Sequence, residues 1–144
     1  MNPYMEFAHK SDLAYSALCH SLCRELNLPQ TAFDILLFLA NNPEYDTASD
    51  IVELRKIKAN LVSVHVDRLV QEGYLERCAV EGDRRKTRLL CTEKAQPVIR
   101  RGREVQNAFF ARLLDHTDEA AREVFFRTME TIGRNLDQIV QENA

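Results

Sequence analysis

Lys56 and Lys58 stand just ahead of Asn60, Ser63, His65 and Arg68, and a second basic cluster, Asp83-Arg84-Arg85-Lys86, follows further along the chain. Lys and Arg neutralise phosphate, whereas Asn, Ser, His and Arg can hydrogen-bond phosphate oxygens or the edges of bases. Val64 sits among them without a polar group. In such a setting its natural counterpart is a thymine methyl. The plain alternative is a solvated charged face, and the choice depends on the elements that carry these residues.

Between Asn60 and Gly73, Val62, Val66, Leu69 and Val70 recur at helical spacing, which leaves Asn60, Ser63, Asp67 and Gln71 on other faces. The pattern predicts an amphipathic helix stopped by Gly73. Lys56 and Lys58 would then flank a helix start, where backbone N–H groups favour anions. Tyr74 to Val80 reads as a strand, Glu81 to Lys86 as a basic turn, and Thr87 to Cys91 as a returning strand, giving a hairpin with a cationic tip.

Helices are expected on both sides of this unit. Glu6 to Leu26 carries Leu13, Ala14, Ala17, Leu18 and Leu22 in helical register, and Asn27-Leu28-Pro29 breaks it. A second helix presents Phe33, Leu36, Leu37 and Ala40 before Asn41-Asn42-Pro43. Thr47 suits the cap of a third, Ala48 to Leu54, with Asp50 near its positive end. Beyond the hairpin, Thr92 is the expected cap of a fifth helix reaching about His116, with an irregular first turn because Pro97 lacks an N–H. Thr117-Asp118-Glu119 opens a sixth helix, along which Val124, Phe125, Met129, Ile132, Leu136, Ile139 and Val140 line up.

The central stretch Val66-Asp67-Arg68-Leu69-Val70-x-x-Gly73-Tyr74-Leu75-Glu76-Arg77, with Asp83-Arg84-Arg85-Lys86 and the step Thr92-Glu93-Lys94, resembles the MarR family of bacterial winged-helix regulators. Leu28 to Leu39 is similar to the helix that precedes the family's reading unit. The resemblance implies a mainly α fold with a small β-hairpin wing: one domain over 1–144, a winged helix-turn-helix DNA-binding lobe over about 28–94, and helical dimerisation regions over about 5–26 and 95–142. It implies a sequence-specific regulator of transcription, a ligand-responsive repressor that binds duplex DNA as a homodimer on a pseudo-palindromic operator. A small aromatic or phenolic effector would sit between dimer helices and reading lobes. Arg85 would enter the minor groove with Asp83 holding it. Val64, Cys91 and Ala95 depart from the family, which commonly has a polar or basic residue, Leu and Gly there.

The apolar residues near both chain ends exceed what a small lobe needs, and Leu13, Leu18, Phe109, Leu113, Phe125, Ile132, Leu136 and Ile139 are the expected dimer contacts. Charge agrees with a nucleic-acid partner for the middle of the chain. Residues 55–103 hold thirteen Lys or Arg against six Asp or Glu, a net +7, which leaves −10 for the rest of a chain whose total is −3. The start lacks the basic segment and apolar centre of a secretion signal and no apolar run is long enough for a membrane, so a cytoplasmic protein is expected.

No Gly-rich phosphate loop, nucleophile elbow or zinc-binding motif is present, and His9, His20, His65 and His116 are scattered, so neither catalytic residues nor cofactor nor metal is expected. Cys19, His20 and Cys23 permit a metal- or thiol-responsive regulator, against the plainer reading of small residues on a buried helix face. Cys78 and Cys91 fall on the two strands, and their proximity depends on register. A winged-helix protein-interaction module without specific DNA binding is the remaining alternative.

Overall fold

The computed structural model describes residues 1–144. Its contacts gather into two compact units, Met1–Phe109 and Phe110–Ala144.

The first unit starts with α1 (Pro3–Leu26), which Asn2 caps by accepting from the Met5 N–H at 2.9 Å. Asn27 ends it in the left-handed conformation (φ 52°), a geometry Asn tolerates better than most residues. Pro29 immediately precedes α2 (Gln30–Asn41), as the break at 27–29 predicts. α3 (Ala48–Arg55) opens with a full capping box: Asp50 N–H donates to Thr47 Oγ1 at 3.2 Å, and Thr47 N–H donates to Asp50 Oδ2 at 3.1 Å. The turn Lys56–Lys58 leads into α4 (Ala59–Gln71). There Gly73, at φ 83°, supplies the left-handed residue of a C-terminal motif in which Gly73 N–H bonds the Val70 carbonyl and Tyr74 N–H the Leu69 carbonyl.

β1 (Leu75–Val80) and β2 (Asp83–Cys91) pair antiparallel, from Leu75 opposite Cys91 to Ala79 opposite Thr87. The expected six-residue turn is two residues, Glu81-Gly82. Val80 faces Asp83, so the register jumps and Arg84, Arg85 and Lys86 are taken up in a bulged strand end. Cys78 faces Arg88, not Cys91, and all four cysteines are free.

Thr92 does not cap the next helix with its side chain. Its hydroxyl donates to the Gly73 carbonyl at 2.5 Å, stitching the end of the hairpin to the end of α4. The irregular start expected from Pro97 is present as a single 3-10 turn, Glu93–Ala95, before α5 (Gln96–Leu113).

One core holds this unit together. Cys19 and Leu22 of α1, Phe33, Leu36 and Leu37 of α2, Ile51 of α3, Val62, Val66 and Leu69 of α4, Leu75 and Leu89 of the hairpin, and Ile99 of α5 are all buried. α5 approaches α2 so closely that a Cβ on Gly102 would lie 2.8 Å from Leu37 Cδ2. The core has a polar flaw beside α1. Asp34 on α2 has an enclosed Oδ1 without a hydrogen-bond partner, and burial pushes its carboxyl up to about 6 despite the opposing influence of Arg55 and Gln30. Burial likewise raises the Tyr15 hydroxyl and the Cys19 thiol, and pushes the Cys23 thiol up to about 11.

The second unit contains the last turn of α5 and α6 (Glu119–Glu142). Asp118 caps α6 by accepting from Ala121 N–H at 2.7 Å, as expected from the 117–119 triplet. α6 buries no residue. No helix of the chain is long and apolar enough to cross a membrane.

Candidate nucleic-acid interface

α4 divides its side chains sharply. Val62, Val66 and Leu69 point into the core, whereas Asn60, Leu61, Ser63 and Val64 are exposed. Val70, expected with the core set, is half-buried and packs on its margin. Lys58 occupies the position before the first turn and no side chain caps that turn, so the helix start keeps its electropositive end for an outside partner. Lys56 is held at φ 54° in the turn from α3.

The wing is fixed at its base. Asp46, in the loop before α3, accepts from Leu89 N–H through its carbonyl at 2.7 Å, and from Arg88 Nε through its carboxylate at 2.6 Å. Arg77 of β1 forms an ion pair with Asp67 of α4, and Lys94 donates to the Glu72 carbonyl at 2.5 Å while lying 4.9 Å above the Tyr74 ring. These ties lock hairpin, α3 and α4 into one frame.

Most cations of residues 55–103 fall into two groups. Arg68, Arg77, Arg88 and Arg101 are in ion pairs, with Glu72, Asp67, Asp46 and Glu25 respectively, and Arg103 donates to Asn41 and to the Ala40 carbonyl. Lys56, Lys58, Arg84, Arg85 and Lys86 are exposed and make no ion pair. They stand at the entry to α4 and at the wing tip. Arg55, directly before this entry, and Arg100 on α5 are likewise exposed without an ion pair.

Arg68 and Asp83 make contacts other than those expected, and His65 takes one of the two places open to it, packed partly beneath the surface. Arg68 donates to the Asn27 carbonyl at 2.6 Å as well as to Glu72, so it braces α4 against the end of α1 and does not join the exposed set. His65 is half-buried, with Nδ1 enclosed and unpartnered. Asp83 makes no ion pair with the Arg85 guanidinium; its Oδ1 accepts from the Arg85 backbone N–H at 2.9 Å. This is the local bond by which Asp shapes a turn two residues on, and it fixes the backbone from which Arg85 projects. Leu61, missed in the sequence reading, is 45% exposed; its spacing of three from Val64 was the available signal.

The expected dimer contacts also separate. Leu18 is half-buried and Phe109 meets Tyr15 edge-to-face at 5.4 Å within the same unit, whereas Leu13, Leu113, Phe125, Ile132, Leu136 and Ile139 are exposed. A cleft of about 560 Å³ lies where the end of α1 meets α2 and α4, lined by Ser16, His20, Cys23, Arg24, Asn27 and Arg68 among others. No group of three or more His, Cys, Asp or Glu is arranged to hold a metal, and Cys19 and Cys23 serve as core residues.

Residues 26–86 match the sequence model of the MarR family. A MarR-type transcriptional regulator from Listeria monocytogenes, solved in complex with 26mer DNA, superposes with a TM-score of 0.79 at 18% identity, covering 94% of this chain and 89% of that one. A MarR transcriptional regulator from Methanosarcina mazei gives 0.76 at 20% identity, over 96% and 99% of the two chains. Apo MarR from E. coli gives 0.71 at 14% identity, over 92% and 98%. Such identities establish likeness of fold. Among curated proteins no sequence matches.

Proposed function

We propose that this chain, whose residues 26–86 match the MarR family, is a winged-helix regulator of transcription that binds duplex DNA sequence-specifically as a homodimer, acting as a ligand-responsive repressor on a pseudo-palindromic operator. The carrying observation is the clustering of unpaired cations: Lys56, Lys58, Arg84, Arg85 and Lys86 are exposed at the α4 entry and wing tip, while Arg68, Arg77, Arg88 and Arg101 are held in ion pairs within the protein. α4 enters the major groove, with Asn60 and Ser63 towards base edges or phosphates and Val64 on an apolar base feature. His65 lies at the groove edge. Arg85 enters the minor groove from a backbone that Asp83 holds, and the narrow groove of A-rich DNA favours its guanidinium. Arg68 acts on this surface indirectly, through its brace.

The winged lobe, about residues 28–94, reads DNA, and the helices over about 5–26 and 95–142 form the dimer. Leu13, Leu113, Phe125, Ile132, Leu136 and Ile139 supply its apolar contacts, with Leu18 and Phe109 supporting them from within. Two lobes related by a two-fold axis match two half-sites. The place for a small aromatic or phenolic effector is the cleft lined by Arg24, Asn27 and Arg68 at the end of α1. It would act by binding more tightly to the state that cannot hold DNA.

A mobility-shift assay with duplexes selected from a randomised library tests the proposal. A shifted complex with two chains per duplex should survive excess nonspecific DNA. If the competitor abolishes it, or no sequence is enriched, specific regulation is wrong and the protein-interaction reading takes its place.

A further inference from the structure

The exposed face of α4 has an unusual chemistry for a surface that meets a polyanion. Leu61 is 45% exposed and Val64 is 62% exposed, three residues apart, while Val62, Val66 and Leu69 already fill the core. The pair is not held out by a failure of the core to close. It is flanked by the unpaired Lys56 and Lys58, and Ser63 shares the exposed surface. An occupant of this face must therefore offer both negative charge and small apolar groups close to it.

We infer that Leu61 and Val64 read thymine 5-methyl groups in the major groove, making them specificity-determining residues of the interface. This rests on the proposal that α4 reads duplex DNA and extends it to the chemistry of the bases read. The thymine methyl is the apolar group that the four standard bases display in the major groove. Duplex RNA fits poorly, because its uracil lacks that methyl and its deep, narrow major groove resists side-chain entry. An acidic protein surface with apolar residues would satisfy the charge but not the resulting base dependence, and it becomes an outcome of the test.

The experiment selects duplexes from a randomised library with the full chain, then replaces thymine by deoxyuridine one position at a time in the highest-affinity duplex, at one fixed salt concentration. Deoxyuridine keeps pairing and the O4 acceptor and removes the methyl alone. At a read position, losing one buried methyl should weaken binding about fourfold, and about fifteenfold when both half-sites are changed. Val64→Ala or Leu61→Ala, each checked for folding by circular dichroism, should abolish that thymine preference at its position. Selective binding that ignores deoxyuridine everywhere, or variants that weaken thymine and uracil duplexes equally, would overturn the inference while leaving DNA reading intact. Absence of any enriched sequence would overturn both it and the functional proposal.

Discussion

Residues 1–109 close a core around Phe33, Leu36, Ile51, Leu69 and Ile99, whereas residues 110–144 close none, although α6 carries Phe125, Met129, Ile132, Leu136 and Ile139 along one line. Each of those side chains is about half exposed, and covering the remainder would contribute roughly 1 kcal/mol apiece. That line runs over a 24-residue helix with no buried residue, and in the proposed homodimer it is the partner that covers it. The first unit closes a core of its own, and the second is the one to which the proposed dimer assigns its contacts.

The same chemical insult should therefore have different consequences in the two regions. Val66→Asp places a carboxylate in the closed core, where an unpaired charge costs several kcal/mol, and should unfold the reading lobe as seen by loss of its thermal transition. Ile132→Glu with Leu136→Glu should instead leave folded, helical protein and lower its mass in light scattering from dimer to monomer, with operator affinity falling at least a hundredfold. A double variant that remains a tight dimer would remove the distinction.

A smaller effect sharpens the account of the first unit. Asp34 has a folded pKa of about 6, above its ordinary 3.8, so the folded lobe holds this proton more tightly than the unfolded chain. Its contribution favours folding below about pH 4, fades as pH rises towards 6, and is then fully lost. Asp34→Asn should remove that component, raising the melting temperature at pH 7 relative to wild type more than at pH 4; equal gains would mean that the carboxyl is not desolvated. Smallest of all, Thr47→Ala should cost about 1 kcal/mol through the lost cap, measurable by denaturant titration without change in oligomeric mass.

What was legible in the sequence was local. The break at Asn27-Leu28-Pro29, the Thr47 and Asp50 cap, the apolar side of α4, the stop at Gly73 and the Asp118 cap all follow from residue types acting within a turn or two. Distant pairings carried no such signal. Nothing near Asp46 announces that it will grip Arg88 and Leu89, nor does anything near Arg68 point to the Asn27 carbonyl. Thr92 looked like a cap by position and was recruited by Gly73 instead. The candidate interface was legible as a set of charges. Which of those charges the fold would neutralise required the structure.

That partition is tested most directly by the salt dependence of binding to a selected duplex. Arg85→Ala removes an unpaired cation; each lost phosphate contact reduces the log-log slope by about 0.9, so a dimer should lose close to 2 units if both arginines neutralise phosphate on entering the groove. Arg68→Ala removes an internally paired cation and should lower affinity through the loosened brace at nearly constant slope. A slope unchanged by Arg85→Ala and reduced by Arg68→Ala, in proteins still folded and dimeric, would contradict the division on which the proposed interface rests.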